Sequence, residues 1–205
     1  ALRLAAGGWT VYATARDPRT LAELEAVGCR ALALDVTDEA SMAAAVTAVE
    51  RPLGALVNNA GYSQSGAVET LSMDDLRRQF ETNVFGLVRM CQLVLPGMRR
   101  AGFGRIVNMS SMGGNFVFPG GGAYHASKYA VEALSDALRF EVKGFGIDVS
   151  IIQPGLIRTR FGETATGAMD EATGQAADGP YAEFNAKLSA STKAVYEGPM
   201  SKLGG

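Results

Sequence analysis

Ala55-Leu56-Val57-Asn58-Asn59-Ala60-Gly61 is a short apolar run that breaks into two asparagines, an alanine and a glycine. Such a run, bounded by turn-forming residues, reads as a strand ending in an open loop. Helical periodicity follows over residues 73–100, and then a second apolar run at 105–109 ends in Ser110-Ser111. Strand, helix, strand in that order predicts parallel pairing, because parallel neighbours need a long crossover between them. The same alternation extends outward. Apolar runs at 10–14, 31–34 and 148–152 predict further strands, and the spacing predicts helices over 20–27, 39–50 and 123–143. The expected fold is α/β: a doubly wound parallel sheet with helices on both faces and strands buried enough to be continuously apolar.

Ser72 followed by Asp75 resembles a capping box opening the longest helix. Along it Leu76, Phe80, Val84, Leu87, Cys91, Val94 and Met98 keep a helical spacing, so that stripe is core or subunit interface. Residues 1–6 read as the second half of a helix closed by Gly7-Gly8.

The bulk composition narrows the function classes. A chain of 205 residues, 47% hydrophobic and 20% charged, is long enough for one domain with a sizeable core. A net charge of −2 gives no electrostatic reason to expect nucleic acid. No run of about 18 apolar residues offers a membrane span. Cys29 and Cys91 each lie in an apolar stretch, which predicts buried thiols and a cytoplasmic setting. One histidine cannot make a zinc site, and no metal is expected.

In an open parallel sheet, ligands bind beyond the carboxyl ends of the strands. All five predicted strands end there in polar or glycine-containing motifs: Ala15-Arg16, Asp35, residues 58–61, Ser110-Ser111 and Pro154-Gly155. Between the last two lies Tyr124-His125-Ala126-Ser127-Lys128. A four-residue spacing on a helix puts the phenol and the ammonium on one face, a turn apart. Free tyrosine loses its proton near pH 10, and a lysine cation held close favours the phenolate. Ser110 and Ser111 both offer a hydroxyl to an oxygen gaining negative charge. This is chemistry for moving a proton to or from an alcohol or carbonyl oxygen, and it calls for a hydride carrier. His125 lies about 100° around the helix from Tyr124 and is given no catalytic role.

Leu56-Val57-Asn58-Asn59-Ala60-Gly61, Asp35-Val36-Thr37, Glu81-Thr82-Asn83-Val84, the Tyr124/Lys128 pair and Pro154-Gly155-Leu156-Ile157-Arg158-Thr159 occur in one order. Together they resemble the short-chain dehydrogenase/reductase family from about Trp9 to Phe161. With Val11-Tyr12-Ala13-Thr14-Ala15-Arg16-Asp17 and the long helix, the likeness is greatest to the branch holding hydroxysteroid and retinol dehydrogenases. The resemblance implies a Rossmann-like single domain over 1–205 with strand order 3-2-1-4-5-6-7. The family's first, central strand and its T-G-x-x-x-G-x-G loop have no counterpart here, nor does the last strand, so a fragment is expected. Residues 162–205 are expected to be a substrate-pocket segment, with a helix over 181–196 covering the pocket.

The resemblance also assigns roles. Tyr124 is the general acid/base, Lys128 its partner and a ribose ligand, and the thirteen-residue spacing selects Ser111 to hold the substrate oxygen. Ser110 is left as a backbone-bonding neighbour, and Asn83 binds a water linking Lys128 to solvent. Asp35 is matched to the adenine amino group, and Asn59, Ala60 and Gly61 to close approach of the cofactor. Pro154, Gly155, Ile157 and Thr159 surround the nicotinamide. At the end of the family's second strand a carboxylate selects NAD and a basic residue selects NADP. Here Ala15-Arg16 favours NADP over NAD, unless Arg16 is a solvated partner of Asp17. The expected substrate is a secondary alcohol or ketone with apolar bulk, held between residues 113–122 and 163–200, which include Phe116, Phe118, Met169, Tyr181 and Phe184. A homodimer or homotetramer through the helices bearing Asn83 and Tyr124 is expected by the same analogy. The rival reading is a catalytically inactive, truncated scaffold of the same fold.

Overall fold

The computed structural model describes residues 1–155, 157, 167 and 179–197. Five parallel strands form, β1 (Tyr12–Ala15), β2 (Arg30–Ala33), β3 (Ala55–Asn58), β4 (Gly104–Met109) and β5 (Ile147–Ile152). They pair as β1-β2 and as β3-β4-β5, with no ladder between β1 and β3 among the described residues. Tyr12 stands opposite Arg30, Asn58 opposite Asn108, and Met109 opposite Ile152. In the family's order these are positions 3-2 and 4-5-6, on either side of the expected central strand.

Helix α1 (Leu2–Ala6) precedes β1, and Gly8 leaves it with φ +84. The helix expected over 20–27 is a 3₁₀ turn, Pro18–Leu21, followed by the short α2 (Ala22–Glu25). Asp17 caps the turn by accepting from Arg19 N–H, and Gly28 at φ +89 ends the segment. Helix α3 (Glu39–Thr47) begins at an Asp38 cap and stops short of the expected residue 50. Glu50 is held instead by Arg30 and by the Tyr12 hydroxyl, which accepts from its N–H at 3.3 Å.

The helix expected over 73–100 is interrupted. It consists of α4 (Met73–Phe80), a π-helical turn (Glu81–Phe85) and α5 (Gly86–Ala101). Ser72 caps α4 as its sequence predicts, accepting from Asp75 N–H at 3.0 Å. The chain returns through β4 to α6 (Gly122–Val142), and α7 (Ala182–Glu197) closes the described part.

The core lies between one face of β3-β4-β5 and the helices α5 and α6. Leu87, Cys91, Val94 and Met98 from α5 meet Ile106 of β4, Ile147 and Val149 of β5, and Val131 and Val142 of α6. Each such aliphatic side chain contributes roughly 1.5–3 kcal/mol by leaving water. Burial along β4 and β5 alternates rather than being continuous as expected. The reason is chemical: Arg105 and Asp148 stand opposite each other on the other face, paired at 3.0 Å with both side chains exposed. Among the described residues no helix is long and apolar enough to cross a membrane.

Candidate active site

The residues singled out by sequence gather beyond the carboxyl ends of the strands. The π-helical turn places Asn83 there. Its carboxamide is 1% exposed and fully engaged: Oδ1 accepts from Tyr62 N–H at 3.1 Å, and Nδ2 donates to Tyr62 O at 3.0 Å and to Ser127 Oγ at 3.0 Å. An extra residue in one helical turn is the local cost of aiming this side chain at the end of β3, and such turns cluster at functional sites. Gln79, one turn earlier on α4, does the same for the next step of the loop. Its Oε1 accepts from Gln64 N–H at 2.7 Å and its Nε2 donates to Tyr62 O at 2.8 Å.

Helix α6 delivers Tyr124 and Lys128. Lys128 is 6% exposed, its Nζ donates to Met109 O at 2.8 Å and stands 5.7 Å from the Tyr124 ring centroid. Burial lowers its pKa to about 8, against a smaller opposing pull from the Glu132 carboxylate. Ser127 locks the first turn to the neighbouring helix by donating to Tyr124 O at 2.7 Å while accepting from Asn83. A side chain at Gly61 would place its Cβ 3.1 Å from Asn83 Oδ1 and 3.7 Å from Lys128 Nζ. Gly61, Asn83 and Lys128 therefore form one cluster, and a side chain at Gly61 would crowd the Asn83 carboxamide.

Ser111 caps a 3₁₀ turn (Met112–Gly114), its Oγ accepting from Gly113 N–H at 3.0 Å. That bond leaves the hydroxyl proton available to an outside acceptor. Ser110 bonds the backbone through its N–H, to Ile152 O at 2.8 Å, while its buried Oγ has no hydrogen-bond partner among the described residues. Pro154 O accepts from Met112 N–H at 3.0 Å, and a Cβ at Gly155 would lie 3.6 Å from Met112 Sδ. Ile157 is half-buried. Thr159 and Met169 lie outside the described residues.

At the β1-β2 end, Arg16 follows Ala15 directly and is exposed. It does not pair with Asp17, whose carboxylate is taken by Arg19 at 2.7 Å. Arg16 instead acts on Asp35, where hydrogen bonds from Thr37 first and the Arg16 charge last hold the carboxyl below its usual range. Asp35 Oδ1 is engaged by Thr37 N–H at 2.9 Å and by its hydroxyl at 2.7 Å; Oδ2 makes no hydrogen bond among the described residues. Asn59, Ala60 and Gly61, which follow β3 of the other sheet, are exposed. An acceptor at Asp35, an exposed cation at Arg16 and an uncovered backbone at 59–61 are the kinds of group a dinucleotide could use. Asn58 is structural, donating to Asn108 Oδ1 at 3.0 Å beneath the loop.

The residues expected to wall a substrate pocket are described in part. Phe116 and Phe118 meet edge to face at 5.0 Å, both exposed. Helix α7 covers the same loop, with Leu188 against Gly120 and Tyr181 donating to Glu69 Oε2 at 2.6 Å. Ser127, Gln79 and His125 carry no functional expectation in the sequence; only Gln79 has a local signal, its four-residue spacing from Asn83. His125 is 4% exposed, and both ring nitrogens are hydrogen-bonded to the 113–118 loop.

A parallel α/β sheet with a serine, a tyrosine and a buried lysine at its carboxyl edge defines a class of dinucleotide-dependent enzymes. The family model described as short chain dehydrogenase matches residues 1–169. The chain belongs to the short-chain dehydrogenase/reductase family. It is 42% identical over 175 residues to a 3-ketodihydrosphingosine reductase of Bacteroides thetaiotaomicron, covering 83% of this chain and 62% of that protein. It is 38% identical over 184 residues to human 17-beta-hydroxysteroid dehydrogenase type 1, covering 83% of this chain and 56% of that protein. Among solved structures, a closed form of serine dehydrogenase complexed with NADP+ matches with TM-score 0.77 and 29% identity, covering 91% of this chain and 80% of its own. An NAD+-bound xylitol dehydrogenase matches with TM-score 0.75 and 28% identity, covering 93% and 77%.

Proposed function

We propose that this chain forms the catalytic part of an NADP(H)-dependent oxidoreductase that interconverts a secondary alcohol and a ketone of apolar bulk. The observation that carries the reading is the buried Lys128 ammonium, 5.7 Å from the Tyr124 ring and one contact from Asn83 and Gly61. A cation held dry beside a phenol stabilises the negative charge that forms when the phenol gives up its proton. In the direction of reduction, Tyr124 hands its proton to the substrate oxygen. Ser111, its lone pair already taken by Gly113 N–H, donates its own proton in a hydrogen bond to that oxygen. Asn83 holds the loop after β3 against α6. Its carboxamide is spent on Tyr62 and Ser127. NADPH, when bound, supplies the hydride to the carbonyl carbon.

Arg16 supports NADP over NAD, since its guanidinium is exposed beside Asp35 and unclaimed by Asp17. The similar structures include an NADP+ and an NAD+ complex, so the preference rests on Arg16 itself. The exposed Phe116 and Phe118 favour an apolar substrate, in keeping with relatives named for a ketodihydrosphingosine and a hydroxysteroid. Helices α5 and α6, with Leu134 and Phe140 exposed, are the surfaces proposed for pairing into a dimer or tetramer.

Tyr124→Phe in the complete protein tests the chemistry. Loss of the proton donor lowers kcat by about a hundredfold or more while cofactor affinity stays unchanged. Single-turnover reduction near the wild-type rate in that variant would eliminate the mechanism and favour a scaffold without catalysis.

A further inference from the structure

His125 lies beside Tyr124 in sequence, yet its ring serves a different part of the site. Nδ1 is 2.9 Å from Gly113 O, and Nε2 accepts from Phe118 N–H at 3.1 Å. A carbonyl oxygen only accepts and a backbone N–H only donates, so the two partners select one neutral tautomer, with the proton on Nδ1. The ring is wedged between two glycines. A Cβ at Gly113 would lie 2.7 Å from Nδ1, and one at Gly121 would lie 2.8 Å from Nε2. Neither position has room for a side chain while the ring is there.

Gly113 is also the residue whose N–H fixes Ser111 Oγ, at 3.0 Å. Phe118 carries the other end, its ring tilted against the His125 ring at 5.7 Å and edge-on to Phe116 at 5.0 Å. One imidazole thus ties the serine end of the loop to its aromatic end. We infer that His125 is a positioning residue, whose Nδ1–H sets the Ser111 hydroxyl through Gly113 while its Nε2 sets the Phe116/Phe118 wall. The catalytic half of this inference rests on the function proposed above. The tautomer and the two clamps do not.

Two substitutions separate the two ends. An asparagine amide reaches the place of Nδ1 and a glutamine amide the place of Nε2, so each variant keeps one clamp and releases the other. In the complete protein, with NADPH and a bulky apolar ketone, His125→Asn should mainly raise KM, by about fivefold, because Phe118 is released. His125→Gln should mainly lower kcat, by about tenfold, because Gly113 and Ser111 lose their register. NADPH affinity should move by less than about twofold in both. A merely structural histidine would instead lower thermal stability in both variants and move kcat and KM alike, and that outcome overturns the inference.

The second readout needs no turnover. Long-range ¹⁵N–¹H spectra of the protein, with the His125 signals assigned by their loss in His125→Asn, should show a protonated Nδ1 and a bare Nε2. An Nε2–H tautomer, or an averaged pair of nitrogens, overturns the positioning role. If the wild-type protein reduces no ketone while the Nδ1–H tautomer is found, the proposed activity fails and the loop clamp stands.

Discussion

Lys128 is the residue on which charge and burial conflict most directly. Its ammonium is 6% exposed, and burial lowers its pKa to about 8. In the unfolded chain it would titrate near 10.5, so the folded protein pays for a buried cation below pH 8 and is relieved of it as pH rises from about 8 to 10.5. Cofactor binding has the opposite dependence in the function proposed above, because the ammonium is a stronger hydrogen-bond donor to ribose hydroxyls than the neutral amine. In the complete protein, NADPH affinity measured by calorimetry should therefore weaken by about tenfold between about pH 7 and pH 9.5, as the cation is lost. Lys128→Met should bind weakly and show a flat profile across that range. A wild-type profile equally flat would mean that Lys128 keeps its charge or does not meet the cofactor.

Arg16 sets a second test at the same scale. Arg16→Asp removes a phosphate-pairing cation and adds a carboxylate beside Asp35, so a loss and a repulsion act together. The ratio of kcat/KM for NADPH to that for NADH should fall by about a hundredfold. An unchanged ratio would show that Arg16 faces solvent in the complex.

At the scale of elements, the strands were legible because apolar runs punctuated by asparagine, serine and proline-glycine leave little choice of where a parallel strand stops. The break at Glu81–Phe85 was not. Phe80, Val84, Leu87 and Cys91 keep a helical apolar spacing straight through it, so the pattern has no sign of the extra residue. What demands the π turn is tertiary: the backbone of Tyr62 and the hydroxyl of Ser127, both distant in sequence, claim the Asn83 carboxamide. His125 escaped for a related reason. Its turn around α6 away from Tyr124 was foreseeable, but the path of the Gly113–Phe118 loop across that face was not. Asn83→Ala should cost about 2–4 kcal/mol in urea unfolding, because three hydrogen bonds go and the Tyr62 N–H loses its partner, while Gln79 still donates to Tyr62 O. Alanine's better helix propensity returns only about 0.5 kcal/mol. A loss below about 1 kcal/mol would mean that packing, not the carboxamide, holds the turn.

For the molecule as a whole, the decisive feature is that β1 pairs only with β2, and β3 only with β4, among the described residues. The edges of β1 and β3 that carry no ladder present rows of backbone donors and acceptors. Unpaired backbone groups are costly when buried and invite association when exposed. Val57 on β3 is 49% exposed and Trp9, just before β1, 50%, so the same edges offer apolar surface as well. The two halves of the dinucleotide surface also stand on different sheets: Arg16 and Asp35 follow β1 and β2, while residues 59–61 follow β3. No ladder ties them to each other among the described residues, and a strand that paired with both β1 and β3 would make the relation rigid. A polypeptide limited to these 205 residues should therefore be poorly soluble or molten, with no saturable NADPH binding. Joining to it an upstream strand that runs into a T-G-x-x-x-G-x-G loop should restore both a cooperative melt and cofactor binding, since the loop's amides at a helix N-terminus hold a pyrophosphate. Calorimetric melting and fluorescence titration with NADPH on the two polypeptides decide the matter. A cooperative transition and micromolar affinity in the shorter one would show that β1 and β3 close on each other unaided, and that the dinucleotide surface is rigid without a strand between them.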